Sequence, residues 1–285
     1  MQELDWEYID ALMPRRAAES SKNDYGRILC VCGSAGYTGA AFFAAQGAVR
    51  MGSGVVTLAV PERAWPVLAV KLSEPVVRPL PCTEDGLFSV RALPRLLELA
   101  EHADALLIGC GLGRSDEVTE VVCTLLREAA CPIVLDADGI NAVAPHIDVL
   151  RGCACPVVLT PHDGEFLRLG GDPKADDRTR EAMRLASRSH AVVLLKGSRT
   201  VITDGLNVYV NHTGNPGLAT GGSGDILTGL LTGLLAQGME PFAACCAAVW
   251  LHGRAGDLAA EEKGRRGMTP PDIIEMLPYA LKEVE

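Results

Sequence analysis

The run Asn215-Pro216-Gly217-Leu218-Ala219-Thr220-Gly221-Gly222-Ser223-Gly224-Asp225 joins a glycine-rich turn to an acid and leads directly into the apolar stretch ILTGLLTGLL. The first amides of a helix have no intrahelical acceptor, and they converge with the positive end of the helix dipole on one point. Such a turn is an anion hole, with Gly222, Ser223 and Gly224 supplying the amides. In a water-poor site each donor of this kind is worth about 2.7–4 kcal/mol to charge developing on a transferring group. Asp225 then has two readings. As a first-turn acid it stabilises the helix by about 1 kcal/mol. As a general base beside a phosphate cradle it accepts a proton and contributes about 10²–10⁴-fold in rate.

Other residues with chemistry stand in short clusters: Asp136-Ala137-Asp138, Thr160-Pro161-His162 and Lys196-Gly197. Lys196 offers an ammonium to phosphate and Gly197 permits close backbone approach, the alternative being an ordinary solvated lysine. A nucleotide phosphate normally arrives with Mg²⁺, which takes oxygen ligands, so a nearby carboxylate is expected. Asp163 and Glu165 could also be first-turn acids of a helix starting after Pro161. His162 has no second His or Cys at ligand spacing, which makes it a ligand contact and not a metal ligand. Asn141 either hydrogen-bonds nucleotide or caps.

The elements that must position these groups alternate. Apolar runs of strand length are predicted at Arg27 to Cys32, Val55 to Val60, Ala105 to Gly109, Ile133 to Asp136, Val157 to Thr160 and Val192 to Leu195. Helical spacing fills Thr38 to Met51, Ser115 to Ala129 and Lys174 to Ser189. This is the pattern of a mostly parallel sheet covered by helices. A hairpin is predicted next, Thr200 to Thr203 and Asn207 to Val210 around Asp204-Gly205. From Gly221 onward the chain reads as helix: Ser223 to Gln237, Pro241 to Leu258, and Pro270 to Lys282, which opens on Pro270-Pro271. In an open parallel sheet the ligand lies at the carboxyl ends of the strands. Those ends carry Gly33-Ser34-Ala35-Gly36, Gly109-Cys110-Gly111 and the three clusters above, so five strand ends point at one edge.

Composition excludes several classes. With 48% hydrophobic and 22% charged residues, 30 Gly and 17 Pro in 285, the chain is ordinary globular sequence without a linker, repeat or heptad pattern. One large domain over 1–285 is favoured. The net charge of −10 disfavours a nucleic-acid partner. The N-terminus lacks an apolar signal core, and PFAACCAAVWL is about half of the ~20 residues a membrane span needs, so a cytoplasmic protein is expected. The ten cysteines lack CxxC spacing and read as buried small hydrophobes, with Cys30/Cys32 and Cys153/Cys155 on strand-like runs and Cys245/Cys246 in a helix. No Walker A sequence occurs, and Gly33 to Gly39 is spaced GxxGxxG instead of the dinucleotide GxGxxG.

The Gly-Gly-Ser-Gly-Asp turn resembles the GxGD anion hole of ribokinase-like kinases. Together, GSAGYTGAA with VRMGSGVVTLAVPE, IGCGLG, VLDADGIN, LTPHDGEF, LLKGSRT and NPGLATGGSGD look like the ADP-dependent NAD(P)H-hydrate dehydratase family, a likeness running from about Leu4 to Lys282. It implies a ribokinase-like α/β fold, a mostly parallel central sheet flanked by helices on both faces. It further implies that Ala40, Gly111, His162 and Asp225 contact hydrated NADH or NADPH. Lys196, Gly197, Ser198, Arg199 and Thr200, with Gly224, would hold the AMP portion of ADP, the phosphoryl donor. Glu165 is implied as the acid that organises Mg²⁺. Relatives suggest a homo-oligomer, with a tetramer among the forms. The epimerase domain of bifunctional relatives is not expected in this polypeptide. A ribokinase-like kinase for a thiazole, pyrimidine or sugar alcohol, and a non-catalytic nucleotide-binding regulator, are the rival readings.

Overall fold

Short runs of Val, Ile and Leu, apolar at consecutive positions, suit strands buried on both faces of a parallel sheet. The computed structural model describes residues 2–284 and arranges ten strands in one sheet. They are β1 (Gln2–Glu3), β2 (Arg27–Val31), β3 (Val55–Pro61), β4 (Val76–Leu80), β5 (Ala105–Ile108), β6 (Ile133–Leu135), β7 (Val157–Leu159), β8 (Val192–Leu195), β9 (Thr200–Thr203) and β10 (Val208–Asn211). Their order is β1-β10-β9-β8-β7-β6-β5-β2-β3-β4. Only β9 runs against its neighbours, because the Asp204-Gly205 hairpin returns the chain immediately. Asp204 Oδ1 accepts from the amides of Leu206 and Asn207, Thr203 pairs with Val208, and the second strand runs Val208–Asn211, one residue later than predicted.

Among the described residues there are eleven α-helices: α1 (Trp6–Leu12), α2 (Thr38–Arg50), α3 (Trp65–Lys71), α4 (Leu93–Ala100), α5 (Asp116–Glu128), α6 (Ala137–Val143), α7 (Asp163–Arg168), α8 (Arg178–Ser189), α9 (Ser223–Ala236), α10 (Pro241–Lys263) and α11 (Pro270–Lys282). Alternation along the strands divides the core in two. Ile28 and Cys30 face α2, α9 and α10, whereas Leu29 and Val31 face the side of α4, α5 and α8. Helices therefore cover both faces, as expected.

Several sequence expectations shift. Helix α8 begins at Arg178 instead of Lys174, because Asp177 accepts from the Arg180 amide and caps it there. Helix α10 runs past Leu258 to Lys263, through good helix formers that end only at Gly264, φ +76°. Cys153 and Cys155 precede β7 in irregular chain and are half-buried, while the other eight cysteines are buried and all ten are free thiols. Edge strand β4, with Arg78 and Pro79, showed no strand pattern in the sequence, as edge strands often do not.

What positions the anion hole is the packing of α9 on α2. A Cβ on Gly229 would lie 2.1 Å from Ala44 O, one on Gly47 2.4 Å from Ile226 O, and one on Gly233 2.7 Å from Met51 Cβ. Glycine at all three allows the backbones to touch, and this fixes the height of α9 against the sheet. Leu230, Leu231 and Leu234 are fully buried around that contact.

Candidate active site

The glycine-rich turn enters α9 as the sequence suggested. Gly222 is the residue before the helix, in a left-handed conformation (φ +101°), with no side chain capping the amides that follow. A Cβ there would stand 2.7 Å from the Phe43 ring, so both sterics and φ require glycine. The segment before it is tied to α10: the Asn215 carboxamide donates to Gly256 O at 2.8 Å, and the Gly214 amide donates to Asp257 Oδ2 at 2.9 Å.

Beside this helix end stands a buried ion pair. Lys196 Nζ is 2.6 Å from Asp136 Oδ1 and 4.0 Å from Glu165 Oε2, and a Cβ on Gly224 would be 3.6 Å from the same ammonium. Burial opposes the Lys196 charge, but Asp136 and Glu165 more than offset it and raise the lysine above its ordinary value. Asp136 also accepts from Thr160 Oγ1 at 2.7 Å and is almost fully buried. Its neighbour Asp138 accepts from the Gly113 amide at 2.9 Å and from Asn141 Nδ2 at 3.1 Å. Asn141 thus braces the loop after β5.

Asp225 lies on the first turn of α9, half-buried. Burial pushes its carboxyl up to about 7, and the Asp136 carboxylate adds to the rise; the Cys110 thiol and the Lys196 ammonium pull the other way. A mere cap would have its carboxylate exposed and hydrogen-bonded to the helix amides. This one is desolvated and near neutrality, the condition for a proton acceptor at physiological pH.

His162 and Glu165 form a capping box at the start of α7. Glu165 Oε2 accepts from the His162 amide at 2.9 Å, and His162 Nδ1 accepts from the Gly164 amide at 2.9 Å. His162 Nε2, 3.2 Å from Glu165 Oε1, is then the protonated nitrogen of the neutral ring. Burial pushes the Glu165 carboxyl up and Lys196 pulls it down. Donor chemistry decides what these groups could hold. Cys110, Asp136 and Asp225 offer atoms within 4.8 Å of one another, but a protonated thiol is a poor ligand for a hard cation. Glu165 carries the hard carboxylate oxygens that Mg²⁺ takes, with Oε2 accepting from the His162 amide and the Lys196 ammonium 4.0 Å away.

A cavity of about 940 Å³ opens here, lined by His162, Lys196, Gly197, Ser198, Thr200, Ser223 and Gly224 among others. Its far wall includes His252, whose Nε2 is 3.2 Å from Ser223 Oγ and which burial pushes down to about 4. Arg199 is exposed and does not line the cavity. Ala40 and Gly111 lie together elsewhere, since a Cβ on Gly111 would be 2.9 Å from Ala40 Cβ, and they join Asp225 through Cys110. The structure therefore brings the residues into two adjoining groups with Asp225 between them. Sequence reasoning missed Cys110, His252 and Arg178. Arg178 bonds Asp163 Oδ1 at 2.5 Å and Lys196 O at 2.7 Å, and thereby anchors the loop after β8. No local pattern marks an arginine eighteen residues before its carbonyl partner. Cys110 was visible within IGCGLG at a strand end.

Comparison with known proteins places the chain in a family. A family model described as NAD(P)H-hydrate dehydratase matches residues 28–279. The bifunctional NAD(P)H-hydrate repair enzyme Nnr of Moorella thermoacetica is 46% identical over 278 residues, 96% of this chain and 52% of that protein. The chain thus spans about half the length of the curated relatives it matches. The ADP/ATP-dependent NAD(P)H-hydrate dehydratase from Bacillus subtilis, co-crystallised with ATP/Mg²⁺, superposes with a TM-score of 0.84 at 32% identity, covering 100% of this chain and 99% of that one. A ribokinase-like superfamily protein from Enterococcus faecalis gives 0.84 at 26% identity, covering 99% and 96%. The fold is ribokinase-like.

Proposed function

The chain belongs to the NAD(P)H-hydrate dehydratase family, and from that premise we propose that it restores NADH and NADPH from their S-form hydrates, converting ADP to AMP and phosphate. The observation that carries the reading is Asp225: a desolvated carboxyl at about 7, on the first turn of a helix whose leading amides no side chain caps and whose Gly224 lies beside the Lys196 ammonium.

In this reading the hydrated ring carries a hydroxyl at C6, and hydroxide is a poor leaving group. Asp225 accepts the hydroxyl proton as the oxygen attacks the β-phosphorus of ADP, and the bond from phosphorus to the AMP oxygen breaks. The amides of Gly222, Ser223 and Gly224, with Lys196, stabilise the charge on the transferring group. Mg²⁺, held by Glu165, would supply further positive charge to the nucleotide phosphates when bound. The C6–O bond then breaks, pushed by the ring-nitrogen lone pair, and phosphate departs. Loss of a neighbouring proton restores the dihydronicotinamide. Lys196, Gly197, Ser198 and Thr200 line the cavity proposed for the AMP portion, with Arg199 at its exposed rim, and Ala40, Gly111 and His162 are proposed to face the damaged cofactor. The cytoplasm as compartment and a homo-oligomeric state belong to the same proposal; among the described residues no helix is long and apolar enough to cross a membrane.

The test is to incubate the protein with hydrated NADH, Mg²⁺ and ADP or ATP and to follow dihydronicotinamide absorbance together with free phosphate. Recovery with stoichiometric phosphate supports the reading. A stable phosphorylated alcohol as product would favour a conventional kinase instead.

A further inference from the structure

Cys110 ends the run that follows β5 and is fully buried, yet it faces polar atoms on three sides. Its Sγ is 3.7 Å from Asp136 Oδ2 and 3.4 Å from Thr228 Oγ1, and it lies with one carboxylate oxygen each of Asp136 and Asp225 inside a 4.8 Å triangle. The neighbouring protons are already committed. Thr228 Oγ1 donates to the Asp225 carbonyl at 3.0 Å, and Asp136 Oδ1 takes both Lys196 and Thr160. Thr228 therefore has no proton to give the thiol, and Asp136 Oδ2 is the carboxylate oxygen to which the S–H donates, at 3.7 Å. A thiol carries one proton to donate. A buried hydrophobe would serve as well as Cys110 if packing were its only role, but here an apolar side chain would set two carboxylates against each other with nothing between them.

We propose that Cys110 is a positioning residue of the proton acceptor: its S–H donates into the gap between Asp136 and Asp225 and holds Asp225 oriented toward the substrate hydroxyl. The inference rests on the role given to Asp225 above. The adjacent Cys32 thiol, burial and the two nearby carboxylates raise the Cys110 thiol well above its ordinary value, so its one proton stays available to donate. The titratable groups around Asp225 are then Cys110 from the end of β5, Asp136 from the end of β6 and Lys196 from the end of β8, with Cys32 behind Cys110. The thiol and the ammonium favour the ionised carboxylate, and Asp136 opposes it.

Cys110→Ala and Cys110→Ser test this through the pH profile of kcat/KM. Removing the donor should move the acidic limb up by about one pH unit, a roughly tenfold loss below the limb that disappears at high pH. Serine keeps a donor in place and should return the limb toward its original position. A uniform loss at all pH in both variants, or an unmoved limb in the alanine variant, would mean that Cys110 only packs. A second readout needs no turnover. The S–H stretching band of Cys110, assigned by subtracting the Cys110→Ser infrared spectrum, should shift when Asp225 is replaced by Asn. An unshifted band overturns the hydrogen bond itself, whereas a wild-type protein that restores no dihydronicotinamide overturns the functional reading.

Discussion

Replacing Asp225 by Asn is expected to slow turnover severely and, at the same time, to make the folded protein more stable at neutral and alkaline pH. In the folded chain the Asp225 carboxyl is raised from 3.8 to about 7, chiefly by burial and then by Asp136. Between those two values the folded state keeps a proton that the unfolded state has released, so stability falls as pH rises through the window and the full penalty is present above about pH 7. A shift of about three units at about 1.4 kcal/mol each gives about 4 kcal/mol, and partial exposure of the side chain reduces this to about 2–4 kcal/mol. Asparagine carries no such penalty. Urea unfolding of both proteins, from about pH 4 to about pH 9, should show the variant gaining on the wild type as pH rises and the two converging at the acid end. Activity should fall by about 10²–10⁴-fold. A variant that is less stable than wild type at about pH 8, or a gap that does not change with pH, would refute the claim that this carboxylate is held against its own solvation.

Three further outcomes follow from the same geometry. In the wild-type protein kcat/KM should climb with pH and level off above about 7, because only the ionised Asp225 accepts a proton; a profile that falls through that range would contradict the assignment. Lys196→Met leaves the buried Asp136 carboxylate without its ammonium, and should cost about 3–5 kcal/mol in chemical denaturation along with most of the activity. Gly222→Ala forces a Cβ to 2.7 Å from the Phe43 ring at a φ of +101°, so it should lower the thermal midpoint and weaken ADP binding by calorimetry, with fluorescence of a remote probe reporting intact folding.

The fold was legible where strands are buried on both faces, since Arg27–Val31, Ala105–Ile108 and Val192–Leu195 read as continuous apolar runs. It was illegible at the rims. Edge strand β4 mixes Val with Arg78 and Pro79, and the seven-residue helices α1, α3 and α6 are too short for a period to emerge. At the site, glycine-rich turns at strand ends announce themselves because a backbone that must approach phosphate leaves no room for a side chain. The groups that set charge do so by burial and by contacts between distant parts of the chain. Asp136 and Lys196, sixty residues apart, were each visible as polar residues after a strand, but their pairing at 2.6 Å is a property of the sheet order. Cys110 read as a small hydrophobe because its two carboxylate neighbours arrive from β6 and α9. His252 sits in an apolar helix, where its contact with Ser223 depends on how α10 crosses the start of α9.

The central claim is that the substrate's own hydroxyl oxygen is phosphorylated before it leaves. Hydrated NADH carrying a heavy-oxygen label in its C6 hydroxyl distinguishes the routes directly when the released phosphate is examined by mass spectrometry. Phosphorylation followed by elimination places the label in inorganic phosphate, in a one-to-one ratio with the NADH recovered. Label found in water, with unlabelled phosphate, would mean that the hydroxyl departs by itself and that Asp225 and the amides around Gly222 do not act on a phosphoryl acceptor.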